Sequence, residues 1–329
     1  QATTRIEFIA IDLDGDGQAN GPDEGFMRVY RANSAANAAW VTAHPNWGNR
    51  YPLHRLDNCG NLASGSFAPV TGITGNSART THLSHATRRC FLGGSDSIFN
   101  GFQATDSRGG WLPWTGPVDA RLASRPDANY LWPITRALNP HFKGVIFVDG
   151  RVAISGWLRG RVTLASPNNI IIADDLRYAT DPGAGTCQDI LGIFSGQNVV
   201  VAINALNAPV RPDTTSLSNW LTYKNPREEF IHGVVLALGS FTAEAYNYGA
   251  TTAEPCGTTA WGRGCLMLTG GIIQTRRGPV GLASGQGYLK RYSYDQCAAS
   301  DPPPYFPTTG WFITGRMFEV DPNGFDINA

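Results

Sequence analysis

The sequence predicts an all-β protein, built as a β-solenoid-like stack of short strands with an N-terminal β-hairpin and long irregular loops. The chain of 329 residues has 38 glycines, 21 prolines and only 16% charged residues, a composition typical of short strands joined by tight turns. Amphipathic helices of about 10–15 residues do not alternate with the strand-like runs, which disfavours a compact α/β enzyme. Because the spacing between runs varies, a β-sandwich is the alternative.

Three regions follow one another along the chain. Residues 1–50 carry the predicted hairpin with a candidate calcium loop, residues 51–140 read as an irregular, loop-rich aromatic region, and residues 141–329 read as the solenoid-like domain. In the third region, short β-branched runs are separated by single glycines or asparagines, as expected where inward side chains of one coil stack on those of the next. The predicted strands cover 144–150, 151–160, 161–165, 169–176, 190–195, 198–203, 233–239 and 266–274.

An acidic, glycine-rich loop near the start of the chain predicts a Ca²⁺ site. Calcium takes six to eight oxygen ligands, which a twelve-residue loop supplies at alternate positions around a glycine at position six; here that glycine is Gly17. The candidate ligands are Asp12, Asp14, Asp16, Gln18 and Asn20, with Asp23 or the adjacent Glu24 closing the site. The flanks 5–11 and 26–30 read as strands, so we expect a structural ion in a hairpin and no helical sensor. The alternative is an acidic turn without a metal.

The six cysteines predict disulfides and therefore export. They are even in number and show no zinc or haem spacing. Cys256 and Cys265 bracket a short loop, Cys59 and Cys90 are the next local candidates, and Cys187 and Cys297 remain, although spacing does not prove connectivity. The first residues lack a charged and apolar leader, so we expect a processed chain at the cell surface or outside the cell.

Charge and hydropathy exclude some partners. The formal net charge is zero, so we expect no broad attraction to nucleic acid. No apolar stretch approaches the length needed to span a bilayer, so we expect no membrane insertion.

Three polar clusters could carry chemistry, and each has a simpler interpretation. Asp174 and Asp175 could form a glycosidase acid pair, but adjacent strand residues point to opposite faces, and capping of a turn explains them better. A His-x-x-His pair at His82 and His85 lacks an evident third metal ligand. A third cluster comprises Glu228, Glu229 and His232. Enzyme activity is left open, and a non-catalytic role is favoured.

Several phrases resemble a known group of proteins. They are V-D-G-x-V-x-I-S-G-x-L-x-G-R-V-T at 148–163, N-N-I-I-I-A-D-D-L-R-Y at 168–178, D-I-L-G-I-F-S at 189–195 and P-P-P-Y-F-P at 302–307. Over about residues 144–310 the chain resembles bacterial pilus-associated, minor-pilin-like surface proteins that carry a β-solenoid domain. The resemblance implies export and a surface or filament setting, with other copies or a helical pilin-like chain as partners, and it brings no catalytic residues. Residues 1–30 hold no long apolar helix of the kind a pilin uses to enter its filament.

The sequence therefore predicts a secreted, calcium-stabilised structural or adhesive protein of the cell surface or of an extracellular filament. One alternative is a polysaccharide-binding or polysaccharide-degrading β-helix protein that contacts surface glycans through aromatic and acidic side chains. The other is a pilus-linked module that captures DNA through arginine pairs.

Overall fold

Strands dominate the structure and confirm the all-β class. The computed structural model describes residues 2–32, 104–106, 109–125, 127–206, 229–244, 246–247 and 254–307. Fifteen strands form one curled sheet of mixed direction, and two more form a small antiparallel pair. Within these ranges the one α-helix is short, α1 at Gln296–Ser300, and no helix has the length and apolar character that crossing a membrane requires.

The described strands are two to ten residues long. Their bounds are β1 Thr4–Ala10, β2 Gly25–Ala32, β3 Thr105–Asp106, β4 Gly109–Trp111, β5 Trp132–Pro133, β6 Val145–Phe147, β7 Val152–Leu158, β8 Arg161–Ser166, β9 Ile170–Tyr178, β10 Ile190–Ser195, β11 Val199–Leu206, β12 Glu229–Ala237, β13 Phe241–Ala243, β14 Glu254–Cys256, β15 Thr259–Trp261, β16 Cys265–Gln274 and β17 Leu289–Ser293.

The predicted N-terminal hairpin is present. Strands β1 and β2 pair antiparallel from Thr4 opposite Arg31 to Ala10 opposite Gly25, and the candidate calcium loop connects them. On its other side β1 pairs parallel to β7. The hairpin therefore lies beside β7 in the parallel part of the sheet, and its loop lies at one end of that strand.

On the other side of the hairpin, β4 and β5 pair antiparallel with β2, and β3 pairs antiparallel with β4. Three parallel ladders make up the remainder of the large sheet. The first contains β6, β8, β10 and the ends of β12 and β16, aligned through Ile146, Leu164, Ile193, Val235 and Ile272. Each of these residues lies opposite the next, so apolar side chains from successive passes of the chain form one column.

The second ladder contains β1, β7, β9, β11 and β13. Ile6, Ile154, Ile172, Val201 and Ala243 are its aligned residues. All five are nearly inaccessible to solvent and belong to the main apolar core.

The third ladder contains the ends of β7 and β9, the starts of β12 and β16, and β17. Leu176, Ile231, Leu268 and Tyr292 lie opposite one another in it. Strands β7, β9, β12 and β16 thus each belong to two ladders, and the chain visits the three ladders in a repeating order around a shared core.

Glycines form the bends where a strand leaves one ladder for the next. Gly233 and Gly270 have φ of 159° and 150° in the middle of β12 and β16, and they lie opposite each other. A Cβ on Gly270 would collide with the carbonyl oxygen of Gly233. Both the backbone angle and the close approach therefore require glycine at this corner.

A buried ion-pair network attaches the segment 120–133 to the hairpin. The side chain of Arg28 is fully buried in β2, and its two Nη atoms donate to Glu7 at 2.7 Å and Asp127 at 2.8 Å. Asp127 also forms an ion pair with Arg125. Desolvation alone would raise the pKa of Asp127, but the two arginines outweigh it and hold that pKa below its usual value.

Two of the three predicted disulfides lie among the described residues and are confirmed. Cys187 joins Cys297 across 110 residues, and Cys256 joins Cys265 across 9. The longer link fastens the loop after β9 to α1. The third predicted pair, Cys59 with Cys90, lies outside the described residues.

Replacing Gly270 with alanine should destabilise the fold severely, whereas the same change at Gly271 should be nearly neutral. A Cβ at Gly271 would meet only a methyl of Val234 at 4.0 Å. We expect Gly270→Ala to lower the free energy of unfolding by at least about 3 kcal/mol, from backbone strain and overpacking together. Urea titration of both variants measures the difference, and equal midpoints would contradict the assigned corner.

Candidate metal centre

The loop between β1 and β2 is held by its own carboxylates. Asp12 accepts backbone N–H bonds from Gly15 at 2.7 Å and Gly17 at 2.8 Å. Both glycines have positive φ, 80° and 90°, a conformation that costs other residues energy. These turns wrap the backbone around the Asp12 carboxylate.

Hydrogen bonding also lowers the pKa of the Asp12 carboxyl group. Desolvation would raise its pKa, but the N–H groups of Gly15 and Gly17 outweigh that effect and lower the pKa below its ordinary value. Asp12 is therefore ionised at neutral pH, the state that a cation requires of its ligand.

Glu24 closes the loop from inside the protein. Its side chain is buried, and its residue is only 1% exposed. Oε1 accepts the backbone N–H of Leu13 at 2.6 Å, and Oε2 accepts that of Gly21 at 2.5 Å. The backbone N–H of Ile11 donates to the carbonyl of Glu24 at 3.0 Å. One residue thus ties both ends of the loop together.

Three carboxylates meet at this point. One oxygen from each of Asp12, Asp14 and Glu24 lies within 4.8 Å of the other two, with the aspartates exposed and Glu24 buried. Oxygen ligands of this charge suit a hard cation. The two aspartates are exposed to solvent, so water could complete the coordination of an ion.

The remaining predicted ligands lie elsewhere in the loop. Asp16 accepts the backbone N–H of Gln18 at 2.7 Å, and the Gln18 side chain accepts from Asn20 at 3.1 Å. Asp23 is paired with Arg121 at 2.5 Å. Of the two acids that could close the loop, Glu24 is therefore the one whose carboxylate lies with Asp12 and Asp14.

A second buried carboxylate supports the loop from the parallel part of the sheet. Asp189 accepts from Arg159 at 2.8 Å, from the N–H of Gly160 at 2.7 Å and from Thr180. Arg159 in turn donates through Nε to the carbonyl of Gly21 at 2.8 Å. The sequence patterns did not indicate Arg159 or Arg121, whose contacts span 138 and 98 residues. No local pattern signals partners so distant.

Asp175, one member of the candidate acid pair, is buried away from any external substrate. Asp175 is 4% exposed, accepts the N–H of Phe230 and pairs with Arg177 at 3.0 Å. Glu229 is fully buried, and neither of its carboxyl oxygens has a hydrogen-bond partner. Burial and the nearby Asp175 raise the pKa of Glu229 well above its usual value, which favours the uncharged form of this buried carboxyl group.

Several residues from the sequence predictions lie outside the described structure. They are His82, His85, Glu228 and the side chain of Asp174.

His232 acts as a backbone acceptor. Its Nδ1 accepts the N–H of Tyr178 at 3.0 Å, so the other ring nitrogen carries the proton in the neutral imidazole. Burial, reinforced by the Arg177 guanidinium, lowers the pKa of His232 to about 4, although Asp181 acts in the opposite direction. His232 therefore has a structural role in the third ladder.

Comparison with known proteins adds no relative. No protein-family model, curated protein or solved structure matches the chain. The functional argument consequently depends on the residues and contacts described above.

Acid should destabilise the protein through His232. The unfolded chain takes up a proton near pH 6.5, whereas the folded imidazole does so near pH 4. This contribution to stability is therefore complete above pH 6.5 and is lost as pH falls toward 4, by on the order of 3 kcal/mol. Urea unfolding across this range measures the loss.

The matched variant is His232→Asn, whose side-chain oxygen can replace Nδ1 as the acceptor for Tyr178. We expect this variant to fold and to show a shallower decline of unfolding free energy between pH 6.5 and 4. If both proteins decline equally, the imidazole is not the group responsible.

Proposed function

We propose that this chain is an exported, calcium-stabilised β-solenoid that serves a structural or adhesive role at the cell surface or in an extracellular filament. The observation that carries the proposal is the set of three parallel ladders around one core, with the acidic loop fastened to the first strand. A stack of this kind gives a rigid rod with long side faces, which suits display and adhesion.

Parallel pairing supports the solenoid. In each ladder a strand pairs in register with the strand from the previous pass of the chain. Val152, Ile170 and Val199, for example, lie opposite one another on β7, β9 and β11. Sandwich sheets are antiparallel, whereas a coiled chain stacks parallel strands at about 4.8 Å per coil. The bends at Gly233 and Gly270 supply the corners that each coil needs.

Disulfides support export. Two cross-links lie among the described residues, and such bonds persist mainly in oxidising compartments. The sequence resemblance to pilus-associated surface proteins agrees with this setting and suggests further copies, or a helical pilin-like chain, as partners.

Calcium is the ion we propose for the loop. Three carboxylates with oxygens within 4.8 Å of one another repel one another when ionised, and a divalent cation with oxygen preference would remove that repulsion. The loop connects two strands and no mobile helices, so the ion would act as a static clamp on the hairpin.

Adding Ca²⁺ to metal-free protein should raise the melting temperature, and a chelator should reverse the shift. Asp14→Asn should remove most of this shift because it deletes one of the three clustered charges. Asp16→Asn is the matched control, since the Asp16 carboxylate is outside the cluster, and it should keep at least half of the shift. Differential scanning calorimetry with and without Ca²⁺ measures both.

A shift that persists in Asp14→Asn would place the ion elsewhere. The absence of any Ca²⁺ shift in the folded wild-type protein would overturn the calcium proposal without bearing on the solenoid or the export proposals.

Polysaccharide binding is a second candidate, favoured by one row of side chains on the third ladder. Trp157 lies opposite Arg177, and His232 lies opposite Thr269, which lies opposite Ser293. Because Leu176 pairs with Ile231, the two parts of the row are adjacent. The row spans five strands, about 19 Å at about 4.8 Å per strand.

The chemistry of this row suits sugars. Trp157 is 43% exposed, and its ring offers an apolar face for stacking. The Arg177 guanidinium lies 3.6 Å from the Phe230 ring centroid, which fixes its position, and the hydroxyls of Thr269 and Ser293 are 2.9 Å apart. A linear glycan along the row would meet one aromatic face and several hydrogen-bonding groups.

Affinity electrophoresis in gels containing dextran or alginate tests this second candidate. If the row binds glycan, Trp157→Ala should weaken retardation about fivefold, consistent with loss of one stacking contact. Tyr305→Ala is the control, because Tyr305 is 77% exposed but belongs to the C-terminal segment. Equal retardation of wild type and Trp157→Ala would exclude the row.

A further inference from the structure

The outermost described strand of the third ladder, β17, carries a basic surface. Among the described strands β17 pairs only with β16, so it is the last strand of that ladder in the described part of the chain. Arg291 and Tyr292 on this strand are exposed, and Lys290 is partly exposed. Two cations and an aromatic ring therefore lie together at the end of the described coils.

A third cation reaches this surface from another corner of the coil. Arg277 is exposed and lies three residues after the end of β16. Partial burial, reinforced by the Arg277 guanidinium, lowers the pKa of Lys290. Burial raises the pKa of Tyr292 to about 12, although Arg277 acts in the opposite direction. Because Arg277 acts on both groups, it lies close to them, and its charge and that of Lys290 repel each other.

No carboxylate in the described part of the chain pairs with these cations. Arg277, Lys290 and Arg291 form no ion pair there, and Arg291 donates to the carbonyl of Lys290 at 3.3 Å. Charges on an edge strand discourage pairing with other strands, but that role does not explain Arg277, which belongs to a different corner. An anionic partner would neutralise all three cations together.

The basic surface continues the row of side chains on the third ladder. Ser293 ends that row, and Arg291 lies two residues before it on β17, so both side chains project from the same face. Arg291 lies opposite Met267, and Met267 lies opposite Phe230. A polymer that follows the row from Trp157 therefore arrives at Arg291.

The two ends of the row differ in charge. At the first end the Arg177 guanidinium is paired with Asp175 at 3.0 Å, and the ring of Trp157 offers an apolar contact. At the end on β17, Arg291 and Lys290 have no such partner among the described residues. A ligand that fits the whole row needs sugar rings for stacking and carboxylates for the cations.

An acidic polysaccharide fits these features better than nucleic acid does. Proteins that bind duplex DNA neutralise several phosphates and owe much of their affinity to that charge. This chain has a formal net charge of zero, and its three cations occupy one end of a row whose remainder offers an aromatic ring and hydroxyl groups. That combination suits a polymer with hydroxyl groups and apolar ring faces along its length.

We propose that the third-ladder row binds an acidic polysaccharide, whose carboxylates lie against Arg291, Lys290 and Arg277 while a sugar ring stacks on Trp157. The inference rests on the glycan candidate proposed above and names the class of its ligand. It needs neither the calcium ion nor further copies of the chain.

Fluorescence anisotropy with labelled octasaccharides tests the proposal in the full chain. The acidic probe is an oligomannuronate, and the neutral probe is isomalto-octaose. We expect the acidic probe to bind at least about tenfold more tightly at low salt and to lose most of that advantage in about 0.5 M NaCl, because salt screens exposed charges.

Arg291→Gln removes one cation and should weaken binding of the acidic probe about fivefold, while changing binding of the neutral probe less than about twofold. Arg136→Gln is the matched control, because Arg136 is also an exposed arginine but follows β5, which pairs with the hairpin. It removes the same charge and should leave both affinities unchanged. Melting temperatures check that both variants fold.

Three results would overturn the inference, and they separate it from the glycan candidate. Equal affinities for the two probes, with no effect of Arg291→Gln, would show that the row binds neutral sugars. No binding of either probe would reject the glycan candidate as well. Tighter binding of a labelled DNA duplex of similar length, weakened by the same substitution, would assign the cations to nucleic acid.

Trp157→Ala tests whether the two ends of the row form one site. This substitution should weaken binding of the acidic probe about fivefold through loss of a stacking contact. An unchanged affinity for the acidic probe would mean that the cations bind anions without the row, which contradicts a site that spans both ends.

Discussion

In-register stacking of inward-facing apolar side chains is the constraint on which this structure depends. A residue such as Ile172 must lie between Ile154 and Val201, because a shift of one residue would turn every core side chain of that strand outward. The register is regained in each ladder even though the chain between strands varies greatly in length. Loops can therefore grow at the corners without disturbing the core, since lengthening a surface loop costs little free energy.

The corners place a second demand on the sequence, because backbone N–H and C=O groups that no longer pair within a ladder need other hydrogen-bond partners. Glycine meets the steric part of this demand at Gly233 and Gly270, and buried carboxylates meet the hydrogen-bonding part. Asp189 receives backbone and side-chain donors from two neighbouring turns of the chain and fixes Arg159, which reaches the hairpin loop. A buried carboxylate without such donors would be strongly unfavourable, so the charge and its donors stabilise the corner only together.

How much the sequence could predict follows from the range of each interaction. The strand class, the hairpin and the Cys256–Cys265 link depend on residues close together in the chain, and all are visible in its pattern. Which acid closes the acidic loop, Glu24 or Asp23, depended on Arg121. This arginine holds Asp23 away from the carboxylate cluster through an ion pair that spans 98 residues. The same limit applies to the apolar face of the first ladder, because outward positions such as Phe194 look like core residues until their register is known.

Glu24 links the acidic loop between β1 and β2 to this architecture. Its oxygens are already occupied by N–H donors from both ends of the loop, and Asp12 is held by the turns at Gly15 and Gly17. An ion at this position would find its ligands preorganised, so binding would require little ordering of the chain. What the ion would contribute is relief of repulsion among three neighbouring carboxylates. Because the loop is bonded through Gly21 to Arg159, that relief would also stabilise the corner behind it, which is the behaviour of a clamp and not of a switch.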